Sequence, residues 1–316
     1  MDRAVLERIG CLWEEALRRI GAAFFTVVLV TGQSGFAHAQ PQAHLLLEEP
    51  GITILGDGAW EKEGRYLGEV FPGIVGELEE ALGWKLHTQP RVLLVGRKET
   101  FEQMTDNPLV SAFAVPSEGL IALHLSPAGS QRPILRETFS HELCHLLLHE
   151  NIREDLLPKW LDEGICQWVS GSLGEVLAGE GIETTAMDMV RSPIPFHGLH
   201  RVFPRDRHGM LLAYAQSRSV VEYLNSRFGK EGIQVLLREL REGRPLDQAL
   251  QTVFGLPWEE LEKEWLRTVT GSRAWFLWLS GHLYDLLFFT AAILSVLAFL
   301  RTWLRKRKFP EAEEED

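Results

Sequence analysis

The sequence predicts an α+β protein: a small mixed sheet in its N-terminal half, a central helix, a helical C-terminal half and one strongly apolar helix at the end. Three observations carry this. Short apolar runs of strand length occupy Gly51–Leu55, Arg91–Val95 and Gly119–Ser126. Apolar residues at helical spacing dominate from Gly209 onward. Trp275–Leu304 is then more apolar than anything in the preceding body of the chain. The 316 residues, 45% of them hydrophobic, can build one large domain or two small ones. A formal net charge of −12, with no basic stripe in the body of the chain, argues against nucleic acid as a partner.

Residues 1–39 read as a targeting segment, a signal peptide outside the fold. Arg18 and Arg19 precede an apolar run from Ile20 to Val30, and Ala37-His38-Ala39 supplies a small-residue cleavage pattern. Glu7, Glu14 and Glu15 lengthen the charged region, which leaves an uncleaved signal anchor as the alternative. In Trp60–Leu82 the residues Tyr66, Leu67, Val70, Phe71, Ile74, Val75 and Leu78 fall at helical spacing. Arg91–Val95 is a strand ended by Gly96, and Gly119–Ser126 is a strand just ahead of the central helix. His124 on that strand reads as a packing or surface residue.

The central helix is expected from Pro133, a favoured first-turn residue, to about Glu150. Ile134, Leu135, Phe139, Leu143, Leu146 and Leu147 fit a half-buried helix. Within it His141 and His145 stand four residues apart, so both rings project from one face. A second helix is expected over Lys159–Val169, stopping at Ser170-Gly171, and it carries Glu163 in W-L-D-E-G. The seventeen residues 146–162 between them allow a last helical turn, a polar loop at Glu150–Asp155 and a helix opening near Pro158. Two imidazoles and one carboxylate suit a tetrahedral Zn²⁺ with one position left open, the catalytic rather than the structural pattern. The candidate ligands are therefore His141, His145 and Glu163, one zinc per chain, with Glu142 placed to take a proton from water. An isolated HExxH also occurs as a plain solvated helix face. The flanking apolar spacing and the second acidic helix weigh against that here.

S-HELCH with W-L-D-E-G resembles the gluzincin metallopeptidases, most of all the bacterial peptidase MA-like group, over about Gly51–Val269. The resemblance implies a zincin-like fold, the same three zinc ligands, Glu142 as general base and a peptide or protein substrate. Tyr214, in Y-A-Q-S, resembles a tyrosine that stabilises the tetrahedral intermediate in aminopeptidase-type members, although Gln216 and Ser217 depart from that context. A tyrosine packed at a helix start is the alternative. Members with a fuller pattern hold an Asp four residues after the ligand Glu to orient a zinc-bound His. That position is Gln167 here, able to accept an imidazole N–H only as a neutral group, which leaves Asp162 or another residue to orient the ring. No GxMEN-type segment is present, which favours an endopeptidase. Leu148 and Asn151 exclude the metzincin pattern, and His149 reads as a cation at the helix C-terminus rather than a ligand. An intramembrane protease is excluded because Arg136, Glu137, Glu150 and Arg153 surround the motif.

Residues 171–208 form a long loop with Pro193, Pro195, Pro204, His197, His200 and His208, either a wall or lid over the cleft or a plain surface insertion. Helices are expected at Gly209–Phe228, Lys230–Glu242, Pro245–Phe254 and Pro257–Val269, with Gly229 a stop and Pro257 a start. An uninterrupted apolar run, Leu286–Leu300, is flanked by Trp275, Trp278, Tyr284 and Trp303 and followed by Arg301, Arg305, Lys306, Arg307 and Lys308. Leu286–Leu304 is thus expected to cross a membrane with a cytoplasmic C-terminus. A buried hydrophobic helix is the competing reading. The domain plan is a signal peptide at 1–39, an extracytoplasmic zinc domain at 40–273, an anchor at 274–304 and a charged tail at 305–316. Cys144 and Cys166 lie on the two helices that converge on the metal, as a disulfide or, in the preferred reading, as free buried thiols. The expected function is a membrane-anchored zinc metallopeptidase; a tethered module that binds zinc and peptide without cutting is the alternative.

Overall fold

The computed structural model describes residues 44–105, 107–126, 131–171, 188–189, 192–270 and 283–308. The targeting segment expected at 1–39 lies outside these residues. Among the described residues five strands form one mixed sheet: β1 (His44–Glu49), β2 (Ile52–Gly56), β3 (Arg91–Val95), β4 (Ala112–Val115) and β5 (Leu120–His124), in the order β1-β2-β3-β5-β4. The two inner pairings, β2 with β3 and β3 with β5, are parallel; both outer strands run antiparallel to their neighbours. β1 and β4 carry no strand signal in the reading above.

Alternation along β3 sends its side chains to two cores. Val92 and Leu94 join Ile54, Ile121 and Leu123 under the main helices. Leu93 and Val95 join Leu120, Ala122 and Phe101, the last from the short helix α2 (Lys98–Thr105), on the opposite face. Helix α1 (Glu61–Leu82) covers β1 and β2 and ends at Gly83, whose φ of +76° is a left-handed cap that favours glycine. His124 is half-buried with its ring 5.6 Å from that of Phe101, a packing residue as expected.

Helix α3 (Arg132–Asn151) is buried continuously from Phe139 to Leu148 rather than on one face. It runs between α1, β4 and β5 on one side and α4 (Lys159–Ser170) on the other, so no stripe of this stretch reaches water. Its C-terminal Glu150 accepts from the backbone N–H of His87 and Thr88, which ties the connection before β3 to the helix. Beyond lie α5 (Arg207–Arg241), α6 (Leu246–Phe254) and α7 (Trp258–Thr270). α5 is two helices broken at Gly229 (φ +73°, ψ 172°), the break that the sequence places there.

The described part of the long connection is not a surface insertion. Phe196 and Leu199 are buried, and Phe196 sits about 5 Å from the rings of Trp160, Trp258 and Trp265. Gln216 both accepts from the N–H of Ile194 and donates to its carbonyl. Residues 194–203 are thereby part of the wall behind α4. Residues 172–187 lie outside the description.

The C-terminal helix α8 (Leu283–Lys308) exposes Leu287, Phe288, Phe289, Ile293, Leu294, Leu297 and Phe299. Among the described residues no helix is long and apolar enough to cross a membrane. The expected transmembrane span over Leu286–Leu304 is thus not established.

Candidate metal centre

The buried polar residues of the described chain are Ser140, His141, Glu142, His145, Asp162, Glu163, Gln167, Gln216 and Ser217, and all of them lie on α3, α4 and α5. Burying such groups is costly unless they are paired or ligate a cation, so their concentration in three contacting helices marks a site. α3 and α4 pack side by side. α4 in turn rests on α5 through Gly164, whose Cα side faces the Ser217 carbonyl and Val221. That close crossing fixes the height of Glu163 opposite the two histidines.

Three of the expected residues converge through one atom each. His141 Nε2 and His145 Nε2 are 3.2 Å apart; Glu163 Oε2 lies 3.2 Å from the first and 3.6 Å from the second. For bonds of about 2.05 Å to zinc, donors at tetrahedral corners are about 3.3 Å apart. The donor triangle therefore already has the dimensions of three corners of such a site. Three lone-pair donors brought this close repel one another unless a cation or shared protons lie between them. Donor type, spacing and burial all fit zinc.

The charges at the site follow from that crowding. Burial lowers the His141 pKa, with Glu163 pulling the other way. For His145 burial also opposes the charge, but Asp162 and Glu163 together raise it well above the ordinary histidine value. Burial would raise Glu163; the Lys159 ammonium and His145 outweigh it and hold the carboxyl well below the usual range. Glu142, adjacent to His141, is wholly buried on the same helix.

Support for the candidate ligand His145 comes from Asp162, one of the options that the sequence leaves open. Its Oδ1 lies 2.8 Å from His145 Nδ1 and its Oδ2 3.1 Å from His149 Nε2. His149 is thus a carboxylate partner across the helix pair rather than a simple helix-end cation. His145, His149 and Asp162 also bring one donor atom each within 4.8 Å of one another. There, however, the imidazole N–H groups have a carboxylate to donate to, the arrangement that orients a ligand histidine. Gln167 does not accept an imidazole proton: its Nε2 donates to the Tyr214 carbonyl at 3.2 Å. Tyr214 itself is buried on α5, its ring 5.2 Å from Phe203 and near perpendicular to it, and it is not one of the three residues that meet at the candidate metal position. Cys144 and Cys166 are free and buried, as preferred over a disulfide, and Cys166 Sγ stands 3.5 Å from His145 Nδ1.

Sequence reasoning missed Lys159, whose Nζ is 2.5 Å from Glu163 Oε1. The signal was available as a lysine four residues before the ligand. The strand just ahead of the central helix, β5, is paired on both sides, and β4 is the outer strand.

The Peptidase MA superfamily model matches residues 103–271, more than half of the chain. No curated protein matches. Among solved structures, native yeast LTA4 hydrolase is similar at 12% identity and a TM-score of 0.42, over 72% of this chain and 37% of the hydrolase. The chain thus spans little more than a third of that enzyme.

Proposed function

Because the chain belongs to the Peptidase MA superfamily, we propose that it is a zinc metallopeptidase in which His141, His145 and Glu163 hold one zinc ion. The observation that carries this is the buried triangle of two Nε2 atoms and one Oε2 with edges of 3.2, 3.2 and 3.6 Å. When bound, zinc supplies Lewis acidity, polarising a carbonyl and lowering the pKa of water. The chain's own residues do the rest. Glu142 takes a proton from the attacking water and passes it to the leaving amine. Asp162 keeps the His145 ring oriented by accepting its Nδ1 proton at 2.8 Å. Tyr214 is proposed to donate to the oxyanion.

An endopeptidase fits best, since no GxMEN-type segment reads a free amino terminus. Membrane attachment is proposed through α8, whose apolar side chains are exposed and whose end carries Arg301, Arg305, Lys306, Arg307 and Lys308. On that reading the zinc domain is extracytoplasmic and follows a targeting segment at 1–39. Fractionation of cells into membrane and soluble parts tests this; a chain wholly in the soluble part would overturn it.

Glu142→Gln tests the chemistry. It should bind zinc like the wild type while peptide hydrolysis falls by about 10²–10⁴-fold. Equal turnover in the variant would remove Glu142 from its role. Zinc binding with no hydrolysis in either protein would point to a tethered binding module.

A further inference from the structure

One charge against the donor triangle has no part in the mechanism above. Lys159 opens α4, and its Nζ lies 2.5 Å from Glu163 Oε1, while Oε2 faces the two imidazoles at 3.2 and 3.6 Å. The carboxylate is divided: one oxygen toward the histidines, the other against an ammonium. Oε1 is buried with no hydrogen-bond donor aligned on it, so the ion pair is its compensation.

Helix formation does not account for this lysine. A cation at the first position of a helix opposes the helix dipole, whose N-terminus is itself positive. As an i,i+4 pair, Lys ahead of Glu is the weaker order. The side chain is 38% exposed, so it reaches a fully buried carboxylate from the solvent side. What the pair does accomplish is to occupy the oxygen that would otherwise be available as a further ligand. A carboxylate ligating through both oxygens would fill the position that a catalytic zinc site must leave open.

Resting on Glu163 as a ligand, we propose that Lys159 is a positioning residue that holds this carboxylate as a one-oxygen ligand. By engaging Oε1 it leaves Oε2 alone to the metal and keeps the fourth position free for water and substrate. Lys159 touches neither, and acts through Glu163.

Substitution with Co²⁺ gives a readout independent of turnover, because four-coordinate Co²⁺ absorbs visible light more strongly than five-coordinate Co²⁺. The full chain is loaded with Co²⁺ as wild type, Lys159→Met, Lys159→Gln and Lys159→Arg. The wild type should show the intense four-coordinate spectrum, the Met and Gln variants a clear loss of intensity at full metal occupancy, and Arg a return toward wild type. With zinc, kcat/KM of the Met and Gln variants should fall about 10–100-fold. If Met and Gln bind Co²⁺ with the wild-type spectrum, the positioning role is overturned while Glu163 stands as a ligand. If the wild type binds no Co²⁺ and Glu163→Gln changes nothing, the reading of Glu163 itself falls, and the proposal with it.

Discussion

Replacing Gly164 by alanine probes the link between helix packing and the metal centre, because this glycine sits beside Glu163 at the crossing of α4 and α5. An added Cβ would lie 2.5 Å from the Ser217 carbonyl oxygen and 2.7 Å from Val221 Cγ2. The nearer atom is backbone, so no rotamer change relieves the clash. Reaching an ordinary contact of about 3.4 Å requires the helices to separate by about 0.9 Å at this point. Overpacking of this kind costs about 1–3 kcal/mol, offset by about 1 kcal/mol from the better helix propensity of alanine. The net change in stability is therefore modest. The donor atoms tolerate much less: metal–ligand distances hold to about 0.2 Å. A shift of Glu163 by several times that amount should weaken zinc binding at least tenfold, about 1.4 kcal/mol. Competition against a chromophoric chelator measures the affinity, and urea unfolding of the metal-free protein measures the stability. Wild-type zinc affinity in the alanine variant would refute the claim that this crossing sets the position of Glu163.

Two further outcomes follow from the residues around His145. Asp162→Ala removes the acceptor for His145 Nδ1 and His149 Nε2 and should lower zinc affinity about 10–100-fold, with Asn restoring part of it; affinity equal to wild type in the alanine variant would show that the ring needs no support. In the metal-free protein, burial opposes a charged His145, but Asp162 and Glu163 raise its pKa well above 6.5. A raised folded pKa contributes stability that is fully present below the unfolded value of about 6.5 and is lost as pH rises through the folded value. At pH 7 zinc must therefore displace a proton, so the calorimetric binding enthalpy should vary with the ionisation enthalpy of the buffer. The same enthalpy in two such buffers would contradict it.

Much of this was legible because it is local. The break at Gly229, the start of α7 beside Pro257 and the span of β3 follow from single residues or short apolar runs. His141, His145 and Glu163 were recognisable because their chemistry constrains both residue type and spacing. Strands β1 and β4 were not, since an outer strand needs little apolar alternation: β1 is half exposed and ends in Glu48-Glu49, and β4 has only four residues. The burial of α3 on every side from Phe139 to Leu148 depends on what lies on either side of it, which its own spacing cannot encode. Asp162 and Lys159 flank Glu163 in the sequence as ordinary helix charges. Their roles appear only when α4 is set against α3 and the carboxylate of each pair has a direction. Gly164 is visible in W-L-D-E-G, but its reason, the carbonyl of Ser217, is fifty-three residues away.

The central claim is that His141, His145 and Glu163 form one metal site. Elemental analysis of the purified full chain beside a His141→Ala/His145→Ala double variant tests it most directly. The account predicts close to one equivalent of zinc in the wild type and none in a variant that still folds. A folded wild type that takes up no zinc, or a double variant that keeps it, would contradict the account.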